Sequence, residues 1–144
     1  VNLIVGLGVT WILAGPPPTA LGWAMALVTM IFAWILHFCM MALIGLAAFL
    51  VEETNSFELI YQKLVFILGG MLLPLDMFPV WLQQIARLLP FPYMMYAPAR
   101  LFVKPDFDLF WQMLAGQLIW VGILVFALSV AYRGSEKMLT VNGG

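Results

Sequence analysis

The sequence predicts an all-α membrane protein, on three observations. Of 144 residues, 65% are apolar and 9% charged, against roughly 25% charged in an ordinary soluble domain. Long stretches carry no charged side chain at all, and the mean hydropathy is +1.05. One short segment near residue 80 differs from the rest, being amphipathic and bracketed by prolines. The architecture this implies is a single transmembrane domain over residues 1–144. It has three full transmembrane helices, a partial one, and a re-entrant or interfacial amphipathic helix before the last span.

A helix crosses a hydrocarbon core of roughly 30 Å with about 20 apolar residues. From Val1 to Val51 no side chain is charged, but Gly15-Pro16-Pro17-Pro18 interrupts the run. Three successive prolines lack backbone donors and belong at a surface. Val1–Ala14 is then too short to cross comfortably and reads as the end of a span. Val1 follows no basic stretch and does not read as a signal peptide, so the expectation is a segment of a longer polypeptide. Leu21–Val51 is 31 residues, roughly 46 Å of helix, and makes one long or tilted crossing. Trp11 and Trp23 flank the proline turn as interfacial aromatics do.

Glu52-Glu53-Thr54-Asn55-Ser56 is a polar loop, and a further span is expected from about Phe57 to Leu75. Glu58, Gln62 and Lys63 lie in its first turns, where they reach the same interface. Gly69-Gly70 and Pro74 favour close packing and a bend at its far end.

Phe78, Trp81, Leu82, Ile85, Leu88 and Leu89 follow helical spacing, with Gln83, Gln84 and Arg87 opposite. Asp76 and Pro79 read as a start signal, Pro90 and Pro92 as a stop. About eleven residues reach only roughly 16 Å, so this helix lies in the interface or dips in and returns. Tyr93–Val103 is expected to continue it at surface level, with Tyr93, Tyr96, Arg100 and Lys104 at headgroup depth. The last span is the clearest: Asp106 and Asp108 suit a helix N-terminus, and Leu109–Tyr132 is 24 residues without a charge. Arg133 and Lys137 close it. Charge does not orient the chain, because Lys63, Arg133 and Lys137 on one side balance Arg87, Arg100 and Lys104 on the other.

Composition narrows function. A net charge of −1 excludes a basic nucleic-acid footprint, and one cysteine excludes an internal disulfide. One histidine excludes a His-rich metal cage. No Gly-x-x-x-x-Gly-Lys-[Ser/Thr] occurs to cradle nucleotide phosphates. No catalytic, cofactor-binding or metal-ligating set emerges. His37 reads either as a proton-relay or ligand residue or as a neutral imidazole bonded to a neighbouring helix. Gln112 and Gln117 either line a translocation path or make interhelical hydrogen bonds. The Met and Phe content suits varied apolar substrates or ordinary lipid-facing packing.

Several stretches resemble the second half of an ABC type-2 transporter permease. They are Gly45-Leu46-Ala47-Ala48-Phe49, Val51-Glu52-Glu53 and Tyr61-Gln62-Lys63-Leu64. The most specific is Gly69-Gly70-Met71-Leu72-Leu73-Pro74-Leu75 followed by Phe78-Pro79-Val80-Trp81-Leu82. Leu89-Pro90-Phe91-Pro92-Tyr93-Met94-Met95-Tyr96-Ala97-Pro98 continues it. Tyr132-Arg133-Gly134 and the stretch from Leu139 to Gly144 are similar to the end of a bacterial branch.

The resemblance implies a multi-pass cell-membrane subunit of six helices, with both termini cytoplasmic and a re-entrant hairpin between the fifth and sixth. It implies a second permease subunit, identical or not, and a separate ATPase subunit that holds ATP and Mg. On that footing Pro74, Phe78, Pro79, Trp81, Pro90 and Pro92 are candidates for an external gate, and Gln112 and Gln117 for a path. Glu52, Glu53 and Glu58 are candidates for the ATPase-side loop, unless they only keep helix ends in water. The competing readings are an integral membrane enzyme with an interfacial site and a non-transporting membrane scaffold.

Overall fold

The computed structural model describes residues 19–47 and 55–142, with backbone only over 134–142. The proline turn and partial span before residue 19, and the Glu52–Glu53 loop, lie outside the described residues. Every regular element among the described residues is helical. In order they are α1 (Ala20–Ala47), α2 (Asn55–Leu68), a 3₁₀ turn (Leu75–Met77), α3 (Val80–Arg87), α4 (Phe91–Met94), α5 (Tyr96–Val103) and α6 (Phe107–Asn142).

Two of these helices, α1 and the Phe107–Arg133 stretch of α6, are long and apolar enough to cross a membrane. Only 22% and 11% of their most apolar windows are buried inside the molecule, so each presents most of its apolar surface outward, as lipid contact requires. They run parallel, since Thr29 meets Gln117, Leu36 shares a cluster with Leu124, and Phe38 and Gly45 share a hollow with Leu128 and Tyr132. The buried stripe of α1 is Gly22, Met25, Ala26, Thr29, Ala33, Leu36 and Cys39. Its helical steps put small residues where backbones meet closely. At Gly22 an added Cβ would stand 2.9 Å from the Phe102 carbonyl oxygen.

Helix α2 stops at Leu68, seven residues before the expected end of its span at Leu75. Its 14 residues reach about 21 Å, less than a hydrocarbon core. The stop is local: Gly69 donates back to Val65, Gly70 takes φ +80°, and Leu72 donates to the Phe66 carbonyl. Only glycine enters that left-handed region without strain.

The Tyr93–Val103 stretch corrects the surface-level expectation. Phe91, Pro92, Met94, Ala97, Pro98 and Leu101 are buried, packed chiefly on α1. Beside α1 the Tyr93 carbonyl lies at the level of Thr29, the Met94 side chain reaches the Tyr61 hydroxyl next to His37, and Leu101–Phe102 lie against Gly22. Residues 91–103 thus form a limb packed beside α1 within the bundle. Amphipathic spacing placed the helix before it well; the limb itself is mostly apolar, with too little polarity to betray which neighbour it meets.

Helix α3 has eight residues rather than eleven, because Pro79 starts it and the chain leaves helical pairing at Leu88. Asp76 is not its cap: both Asp76 carboxylate oxygens accept from the Tyr96 hydroxyl, at 3.1 and 3.2 Å. Gln83 Nε2 instead donates to the Phe78 carbonyl at 2.9 Å. At α6 the acidic start is real capping, since Asp106 Oδ1 accepts from the Leu109 amide at 3.1 Å.

Candidate functional site

The clearest concave feature lies between α1 and the limb of residues 91–103. It is a groove of about 550 Å³, within the range that holds small molecules. Small side chains make room for it: Ala26 and Ala33 come from α1, Pro98 and Ala99 from α5. Trp23, Trp34, Phe102 and three methionines form its walls. Trp23 is fixed edge-on against Phe102, with ring centroids 4.9 Å apart. No lining residue carries a permanent charge, so the groove suits apolar, polarizable surface.

His37 is the single ionisable residue in the lining. Its Nδ1 lies 2.6 Å from the hydroxyl of Tyr61, and the two rings stack with centroids 5.6 Å apart. The Tyr61 hydroxyl also donates to Met94 Sδ at 3.6 Å. Tyr61 is 4% exposed, and its ring meets Phe91 at 6.3 Å. The imidazole thus bonds a neighbouring helix and ties α1, α2 and α4 at one level. Of the two readings of His37, this geometry is the interhelical one.

Gln117 forms the second polar knot. It is fully buried, and its Nε2 donates to the carbonyls of Thr29 on α1 and Tyr93 on α4, each at 2.8 Å. A four-residue helix leaves its carbonyls without intrahelical partners, and Gln117 serves one of them. Beside it Gly116 admits the Tyr93 ring, which occupies the space a Cβ would need. The Tyr93 hydroxyl reaches on to the Arg87 carbonyl at 3.0 Å, closing the end of α3.

The residues expected at a site do not surround one opening. Phe78, Pro90 and Pro92 are buried, whereas Pro74, Pro79 and Trp81 are exposed. All six lie on the limb and its approach. Gln112 is exposed on α6, and Gln117 is packed inside rather than facing the groove. Glu58 is half-buried and accepts from Gln62 Nε2 at 3.1 Å; Glu52 and Glu53 lie outside the described residues. Ser129 bonds back to the Val125 carbonyl of its own helix.

Sequence reasoning missed the groove walls and the partners of the knots, among them Thr29, Trp34, Tyr61, Met94 and Phe102. One signal was present: Gly22, Ala26, Thr29 and Ala33 repeat at helical spacing and mark the face that a second backbone approaches. Among the described residues no group of three or more His, Cys, Asp or Glu is placed to hold a metal ion. Compared with protein-family models, with curated proteins and with solved structures, the chain shows no match.

Proposed function

We propose that this chain is the membrane-spanning part of an exporter permease driven by a separate ABC-type ATPase. The observation that carries the reading is a broken, proline-containing limb, Phe91–Val103, seated against a long apolar helix and followed directly by a second one. Irregular backbone of this kind is tolerated at membrane depth only where protein or a water-filled cavity replaces its lost hydrogen bonds. A fold that accepts that cost at one end of a bundle suits a gate. The residue patterns from Gly69 to Leu82 and from Leu89 to Pro98 support the same reading.

In this proposal α2 and its flanks make a third crossing, and the domain is multi-pass in the cell membrane. Residues 74–104 face outward, beside the start of α1 and the start of α6. A second permease subunit completes the path. ATP and Mg act in the ATPase subunit, whose closure rocks the helices and moves substrate outward by alternating access. The apolar groove favours a lipophilic substrate.

The test is to purify the intact natural protein in mild detergent and ask whether an ATPase subunit accompanies it. Vanadate-sensitive ATP hydrolysis by that complex is the expected result. Purification of the intact protein without an ATPase, and without hydrolysis, would favour a scaffold.

A further inference from the structure

The Gln117 amide is satisfied on one side only. Both Nε2 hydrogens are used, on Thr29 O and Tyr93 O, while Oε1 is buried with no hydrogen-bond partner among the described residues. Nearby hydroxyls are already committed: Thr29 Oγ1 donates to Met25 O and Ala26 O of its own helix, at 2.9 and 3.1 Å, and Tyr93 donates to Arg87 O. A buried amide oxygen without a donor weakens the arrangement that confines it, because that oxygen regains a partner whenever the site opens. A polar tie meant only to be permanent would satisfy both ends of the amide.

The part it holds has the form of a unit that can leave. At the near end Pro90 separates the limb from α3, and at the far end Lys104 is extended after α5. Inside the limb, Pro98 has no amide to offer and Met95 breaks the helix between α4 and α5. Apart from Gln117, the polar ties of the limb are the Tyr61 hydroxyl on Met94 sulfur and the Tyr96 hydroxyl on Asp76, with Tyr93 on Arg87 O joining it to α3. Met94, Pro98 and Phe102 of the limb wall the groove on one side.

We propose that Gln117 is a releasable clasp that docks the limb, residues 91–103, onto α1 and α6, and that its release widens the groove. This role rests on the packing geometry, whatever the protein transports.

Hydrogen–deuterium exchange on the intact protein in lipid nanodiscs tests it. In the wild type, amides of residues 91–103 should exchange as one group and faster than those of residues 112–128 in α6. Gln117→Leu, which keeps the bulk and removes the donors, should accelerate that group about tenfold or more and leave the α6 amides within about twofold. Gln117→Asn, too short to reach both carbonyls, should fall between. Ile119→Val, an exposed change on the same helix, should leave the exchange of that group unchanged. Unchanged exchange in folded Gln117→Leu, or a wild-type limb as slow as α6, would overturn the proposal; the wild-type comparison decides it should the variant fail to fold.

Discussion

At Gly116 the Tyr93 ring occupies the place of a side chain, and this pair separates packing from helix propensity. An added methyl there meets a ring that is held at its far end by the Arg87 carbonyl, so the ring cannot swing aside freely. Gly116→Ala should lower stability by about 1–3 kcal/mol through overpacking. Gly122 and Gly45 have nothing within 4 Å of the place a Cβ would take, so alanine at either should be neutral or stabilise by up to about 1 kcal/mol. Thermal unfolding in detergent would show the contrast, and equal effects at Gly116 and Gly122 would contradict it. Tyr96 gives a pH signature. Burial first, then the Asp76 carboxylate, raise its hydroxyl above the ordinary value of about 10, with Arg100 opposing. Because the folded-state value is the raised one, its contribution is full below about pH 10 and is lost as pH climbs toward that value. The unfolding midpoint should therefore fall more steeply from about pH 9 to about pH 11 in the wild type than in Tyr96→Phe; parallel profiles would sink the assignment.

Among the elements, those with strong local signals were legible in the amino-acid order alone. Uncharged runs located α1 and α6, and acidic residues marked the start of α6, where Asp106 caps the Leu109 amide. Asp106→Ala should cost about 1 kcal/mol, measured as a lower unfolding midpoint, whereas Asp108→Ala should cost less. What escaped the sequence depended on partners. The end of α2 at Leu68 rests on a glycine turn that apolar composition obscures, and the burial of residues 91–103 rests on a small-residue face far earlier in the chain. Tyr61 is a similar case: in the sequence it is only one residue of a family-like stretch, yet it joins His37 to Met94. Tyr61→Phe keeps the ring and removes the hydroxyl, so it should cost about 0.5–1.5 kcal/mol. His37→Phe, made in the Tyr61→Phe background, should then add little through that bond.

At the scale of the molecule, two parallel apolar helices pack with a short helical limb, residues 91–103, between their starts. The candidate site was only partly legible. Its prolines announced a special segment, but the groove appears only when α1 and α5 are brought together, and Gln117 proved to face inward. The central claim is that this limb moves when a partner ATPase cycles. The most direct test is Met95→Cys, at a residue that lines the groove and is 39% exposed, in a Cys39→Ala background. Its maleimide labelling rate would be followed in native membranes containing the intact natural protein. The account predicts that trapping the complex with ATP and vanadate changes that rate severalfold, while Phe126→Cys, on the outward face of α6, labels at a constant rate. An unchanged rate for Met95→Cys in a complex shown to hydrolyse ATP would contradict it.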